Sequence, residues 1–346
     1  KSLGRLGAKT FAYYFLTSML AIIIGLTLTN IIQPGVGVDI NAGGQGFDPS
    51  SLSQPGSLGN ILIRMIPTNP IKAAANGDVL AVIFFSIVLG MAITALPEKQ
   101  YKQVHEFFDN LFQVMMKLTQ GVIMFLPLGV FGLISKAVAS TGFELFRAVG
   151  WYIVTIATGL TLHLFVVLPL VFWLLTRINP LKHFKAIASA MATAFSTSSS
   201  GATLPVTMDC VENRAGVSNR VTSFVLPLGA TINMDGTALY ECAGVLFISQ
   251  ALGFDLSFTQ QFIVVITAFL ASVGAAAIPS AGLVMIFIVL DAVGLGNHPQ
   301  AAIIVGTMLA VDRPLDMFRT VVNVTSDTMG AVIIAKSEGE NVLSEV

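Results

Sequence analysis

Hydrophobic positions along this chain fall into long runs: Phe11–Ile32, Val79–Leu96, Gly121–Ile134, Trp151–Leu175, Phe262–Leu270 and Leu283–Val293. Runs near 20 residues match a helix crossing a hydrocarbon layer of about 30 Å. They predict spanning helices at Ala8–Ile32, Gly77–Leu96 and Trp151–Arg177; the other runs are too short or are broken by Gly and Pro. Residues 33–57, rich in Gly, Pro, Ser and Gln, read as a loop. A short apolar piece (Leu58–Ile66) and the Pro67–Pro70 turn lead to the second span. Glu98–Gln120 is a more polar helix running into apolar Gly121–Lys136, where Pro127 can kink the chain. Pro180–Ala192 reads as an amphipathic return towards the membrane.

Three stretches interrupt the apolar pattern. Ser196–Pro205 and Ala271–Gly282 are tips of small residues flanked by apolar arms, and aligning Pro205 with Pro279 sets Gly-Ala-Thr-Leu-Pro against Ala-Ala-Ala-Ile-Pro. Arms too short to span separately predict two re-entrant helical hairpins, whose tip backbone must be satisfied by protein, water or ligand because lipid cannot do so. Paired interruptions of this kind point to a transport site. Between them, Asn233-Met-Asp-Gly-Thr237 is a poor helix former with apolar sequence on both sides. An unwound turn there exposes carbonyl oxygens beside Asn233 and Asp235, a hard, negative environment suited to a small cation such as sodium.

A further polar stretch is 312–327. At about 100° per residue, Asp312, Asp316, Arg319, Thr320, Asn323 and Asp327 share an arc of roughly 100° on a helix otherwise made of residues such as Leu315, Phe318 and Val322. On a soluble helix this is an exposed face. Composition excludes that setting. The 346 residues are 54% hydrophobic and only 11% charged, with mean hydropathy +0.81, whereas globular chains carry about 25% charge. An intramembrane stripe of this cost is read as a functional lining. Its surplus of carboxylates calls for cations or protons. Arg319 has the fork geometry to hold a carboxylate, and an Asp can hold an ammonium, so the stripe fits an amino acid or dicarboxylate moved with cations.

The remaining chemistry is sparse. The net charge of −1 leaves no basic surface for nucleic acid. Cys210 and Cys242 form no metal or redox motif. His163, alone in the third span, reads as a packed side chain. Tyr14, Thr17 and Ser18 share a face of the first span. Lys1, Arg5 and Lys9 precede that span and no Lys or Arg follows in 33–57, which places the N-terminus in the cytoplasm and the loop outside the cell membrane. A serine hydrolase at Ser198–Ser200 lacks a nearby base and a Gly-x-Ser-x-Gly elbow. An ion channel predicts a continuous pore lining rather than two sealed tips.

Asn233-Met-Asp-Gly-Thr237, the serine-rich tip and Asp312…Asp316…Arg319-Thr320…Asn323…Asp327 resemble the glutamate transporter family, the dicarboxylate/amino acid:cation symporters, over residues 1 to about 337. The resemblance implies an all-α polytopic membrane protein and a homotrimer working as an elevator. It divides the chain into a transport-domain helix (1–32), external loop and scaffold helices (33–95), a peripheral transport-domain helix (96–136), a connecting helix (137–180) and a transport core (181–346). It implies substrate contacts at Ser199, Ser200, Met234, Thr237, Ile278, Gly282, Asp316, Arg319, Thr320 and Asn323, with Arg319 on the side-chain carboxylate and Asp316 on the amino group. Sodium ligands carry over to Tyr14, Thr17, Ser18, Gly229, Thr231, Asn233, Asp235, Ser272, Val273, Ala275, Asn323 and Asp327, several through backbone carbonyls. Glu241 matches a proton-carrying position of the animal carriers. The implied activity is sodium-coupled symport of aspartate or glutamate, with a C4-dicarboxylate carrier as the alternative and no organic cofactor. Asp312 is expected to support Asn233 or Asp235. Two departures stand out: Ser198 lacks the Arg of archaeal members and Met317 the Arg of animal members. Family members carry two further membrane helices before the one that is first here, so an N-terminally incomplete scaffold is expected.

Overall fold

The structure, a computed structural model, describes residues 2–37, 66–75, 79–125, positions 128, 131, 132, 135 and 139, and residues 144–275, 281–296 and 298–343. All regular structure among them is helical. In chain order the helices are α1 (Ser2–Ile32), α2 (Pro70–Ala75), α3 (Val79–Thr94), α4 (Glu98–Ile123), α5 (Glu144–Leu162), α6 (Leu168–Thr176), α7 (Pro180–Ala186), α8 (Ala188–Thr197), α9 (Ser200–Asp209), α10 (Asn219–Ile232), α11 (Asp235–Ala251), α12 (Phe258–Gly274), α13 (Ala281–Ala292) and α14 (Ala301–Ser337).

Polarity is inverted relative to a soluble fold. On α1, Thr10, Thr17, Ser18 and Thr29 are buried while Phe11, Phe15 and Ile23 are at least half exposed. Trp151, Val154, Phe165 and Leu170 likewise face outward along α5, α6 and the turn between them. Water would penalise so much exposed apolar surface; a hydrocarbon layer accepts it. Gly4–Ile32 and Arg147–Thr176 are long and apolar enough to cross that layer.

The centre is α11, buried from Asp235 to Ser249. Helices α1, α5, α12, α13 and α14 pack around it. The second half of α14, Arg319 to Ala335, is equally enclosed.

Helices α8 and α9 form one hairpin, with arms of 10 residues each, about 15 Å long and half of what a span needs. At its tip Ser198 adopts the left-handed conformation (φ 53°), and Ser199 caps α9 by accepting a hydrogen bond from the Ala202 N–H. Helices α12 and α13 pack together as the arms of a second hairpin. Its predicted tip residue Ile278 lies outside the described residues.

Two boundaries differ from the sequence reading. The predicted uninterrupted span Trp151–Arg177 begins earlier, at Glu144, and contains a five-residue π turn, His163–Val167. Pro169 explains the turn: it has no N–H to give the Phe165 carbonyl and its ring crowds that carbonyl. The predicted unwinding over Asn233–Thr237 is narrower. Only Asn233 and Met234 leave the helical region, and α11 resumes at Asp235, whose carboxylate suits a helix N-terminus.

At the water-facing end of α14, Glu338 binds Lys9 and Arg5 of α1. Their hydrogen bonds hold its carboxyl down at about 2 from the usual 4.5. A depressed carboxylate contributes stability that is complete above the unfolded value and disappears as pH falls through the folded one. The difference in melting midpoint between the protein and Glu338→Gln is therefore constant above about pH 5 and shrinks towards pH 2. A difference undiminished near pH 3 contradicts the latch.

Candidate functional site

The break between α10 and α11 lies inside the protein, so its polar groups need internal partners. Helix α14 supplies them. Asn233 Nδ2 donates to Asp327 Oδ1 at 2.8 Å and to Ser326 Oγ at 3.0 Å. The Gly236 N–H, orphaned at the start of α11, donates to Asn323 Oδ1 at 2.8 Å. Asn323 Nδ2 in turn reaches Thr237 Oγ1 at 3.3 Å.

Helix α1 closes the other side. Asp235 Oδ1 accepts from Ser18 Oγ at 2.7 Å and Thr17 Oγ1 at 3.2 Å. Thr17 Oγ1 also lies 3.5 Å from Asn233 Oδ1. A Cβ on Gly229 would stand 2.5 Å from both Asp327 Oδ1 and the Tyr14 hydroxyl, so those two groups converge on a bare stretch of α10 backbone. The Gly229 carbonyl accepts from the Asn233 N–H at 2.9 Å, and the carbonyls after it are the ones that the helix end releases. Tyr14, Thr17, Ser18, Gly229, Asn233, Asp235, Asn323 and Asp327, proposed from widely separated stretches, thus form one buried polar cluster. Neither Asp235 nor Asp327 has a Lys or Arg partner among the described residues.

One turn or two earlier on α14 lies a second cluster. Arg319 is 1% exposed. Its Nη2 donates to Asp316 Oδ1 at 2.7 Å and lies 3.4 Å from Asp312 Oδ1. The guanidinium stacks on the Tyr240 ring, 3.8 Å from its centre. Nε and Nη1 have no hydrogen-bond partner among the described residues. A Cβ on Gly282 would stand 2.9 Å from Nη1 and 3.0 Å from Thr237 Cγ2, which puts the start of α13 directly against the guanidinium. Ser200, Met234, Thr237, Asp316 and Thr320 are buried, and the α8–α9 hairpin packs on α14.

The whole α14 stripe is buried, and a membrane interior makes it a site. Such an arrangement of a short-armed hairpin, a broken helix and a buried Arg–Asp stripe is that of a transporter, and a family comparison decides which. The sodium:dicarboxylate symporter family model matches residues 1–337.

The chain belongs to that family. Excitatory amino acid transporter 3 of Mus musculus is 36% identical over 382 residues, covering 96% of this chain and 72% of the relative. An excitatory amino acid transporter of Caenorhabditis elegans is 36% identical with 96% and 73% covered, and excitatory amino acid transporter 1 of Ambystoma tigrinum 34% with 96% and 70%. Family members are symporters, so this chain is a multi-pass membrane carrier and not an enzyme; the serine hydrolase reading is excluded.

Several residues sit apart from their expected places. Asp312 stands beside Arg319 rather than beside Asn233 or Asp235. It lies one turn N-terminal of Asp316 on α14, on the Arg319 side of the stripe. The Thr231 side chain is exposed and bonds the Leu228 carbonyl of its own helix, leaving only its backbone for the break. Ser272 bonds back to the Phe269 carbonyl near the end of α12, with half-buried Val273 and buried Ala275 beyond it. Glu241 is fully buried with both carboxylate oxygens unpartnered among the described residues. Sequence reasoning missed Tyr240, which lies one turn after Thr237 on α11 and was detectable from that spacing. It also misread His163, whose Nε2 lies 3.1 Å from Asp235 Oδ2; the carboxylate is 72 residues away, so no local pattern announces it.

Gly229→Ala tests the convergence at α10. The added methyl has no room between Asp327 and Tyr14, and the variant loses about 1–3 kcal/mol of stability by overpacking. Unfolding in detergent micelles checks this; a neutral or stabilised variant contradicts the geometry.

Proposed function

We propose that the chain carries acidic amino acids, aspartate and glutamate, across the cell membrane together with sodium. The observation that carries the substrate class is Arg319: a permanently charged fork in the interior with two of its three nitrogens unpartnered among the described residues. A buried charged donor left unsatisfied is costly, and a substrate carboxylate satisfies it bidentately. Asp316, on the same turn, takes the amino group, and Ser199, Ser200, Met234, Thr237, Ile278, Gly282, Thr320 and Asn323 complete the pocket. The names of the similar carriers support the same class.

Sodium fits the break. Asp235 and Asp327 bring two carboxylates, and the end of α10 brings carbonyls, with hydroxyls of Tyr14, Thr17 and Ser18 at hand. This is a hard-oxygen set short of positive charge. Sodium supplies the balancing charge when bound. Ser272, Val273 and Ala275 offer further oxygens at the end of α12. The two clusters share Asn323, which ties Gly236 to Thr237; through it, sodium orders the wall of the substrate pocket. Glu241 is the proton carrier, an intramembrane carboxylate on α11 with no hydrogen-bond partner among the described residues. Residues 1–32, 96–136 and 181–346 form the moving domain of an elevator, 33–95 and 137–180 its frame and connection, and three copies assemble around the frame, with 33–57 outside.

Proteoliposome uptake of labelled aspartate, glutamate and C4-dicarboxylates under separate sodium and proton gradients tests this reading. Sodium-driven uptake of the amino acids supports it. Preferential uptake of dicarboxylates lacking an amino group supports the alternative, and current without exchange supports a channel. Arg319→Cys lowers acidic uptake at least about thirtyfold, from the 2–5 kcal/mol of a truncated buried charge pair, while admitting neutral amino acids; retained aspartate affinity refutes the carboxylate assignment. Asp327→Asn shifts the sodium dependence to higher concentration, and an unchanged sodium curve removes Asp327 from the cation site.

A further inference from the structure

His163 is fully buried at the junction of α5 and α6. Its Nε2 lies 3.1 Å from Asp235 Oδ2. The other Asp235 oxygen faces the Ser18 and Thr17 hydroxyls of α1. Two helices therefore hold the carboxylate from opposite sides, one oxygen each.

The imidazole's hydrogen-bonding role follows from its surroundings. Nδ1 is buried and without a partner among the described residues. Nε2 is the nitrogen that faces the carboxylate, and a carboxylate oxygen accepts, so the bond runs from Nε2–H to Asp235 Oδ2. It fixes one oxygen of the carboxylate and leaves the other to the hydroxyls of α1.

The backbone supports the same conclusion. His163 opens the π turn, its carbonyl accepting from the Leu168 N–H five residues on. A π turn holds one extra residue and re-aims the side chains at its edge; such bulges recur at functional sites. Here the side chain that it aims reaches Asp235.

We infer that His163 is a positioning residue of the cation site: its Nε2–H holds Asp235 so that Oδ1 stays turned towards Thr17, Ser18 and the Asn233 break. The inference rests on the sodium reading given above. Groups that orient a metal's ligands from outside change metal affinity about 10–100-fold when removed.

Two polar substitutions separate the donor from the packing. The Gln amide reaches the place of Nε2; the Asn amide stops at the level of Nδ1. Purified full-length chain in detergent is titrated with sodium alone, following the rise in melting temperature. His163→Asn raises the half-maximal sodium concentration about 10–100-fold, and His163→Gln stays within about threefold of wild type. Sodium-free melting shows that both variants fold. Equal sodium curves for the two variants, whether both normal or both weak, overturn the inference. A wild-type protein that sodium does not stabilise overturns the cation site itself, and the inference with it.

Discussion

A two-residue gap in a buried helix governs the rest of the molecule. Where α10 stops at Ile232 and α11 starts at Asp235, backbone groups are released in a place that neither lipid nor bulk water reaches. Three neighbouring elements answer that constraint. Helix α14 turns Asn323 and Asp327 towards it, α1 brings two hydroxyls, and the α5–α6 junction brings a histidine. The polar interior of α1 and the all-round burial of α11 are consequences: apolar side chains face lipid because the polar ones are committed inward.

The same constraint explains why the clusters proposed for substrate and cation are adjacent without being mixed. Both lie on α14, and its period separates them by depth, with Arg319 on one level and Asp327 two turns on. Asn323 stands between and bonds both the first N–H of α11 and Thr237. In the proposed function, a cation that orders the break thereby orders a wall of the pocket, and linkage then requires each ligand to improve the affinity of the other by the same factor. Asp312 belongs to the upper level. It shares Arg319 with Asp316, so the arginine keeps a countercharge when no carboxylate is bound.

Much of this was legible in the sequence because helical periodicity and membrane composition reinforce one another. Six polar residues at helical spacing between Asp312 and Asp327 fix a face, and an apolar chain fixes the face as interior. The small-residue tip at Ser198–Ser199 and the Asn233 break were legible as helix punctuation. What periodicity cannot supply is the partner of a side chain on another helix. Asp312 was therefore placed with the wrong cluster, and His163 looked like packing although Pro169 forces the turn that aims it. The extent of unwinding was also overread: Gly236 and Thr237 are poor helix formers, but the N-terminal Asp235 and the Asn323 contact hold them in α11.

The central claim is that acidic substrate and sodium occupy neighbouring, mutually dependent clusters. Calorimetric titration of aspartate into the purified protein at a series of sodium concentrations, with choline as the replacement cation, addresses it most directly. The account predicts that aspartate affinity rises steeply with sodium and that binding is lost in choline. An aspartate affinity that is the same with and without sodium would contradict it.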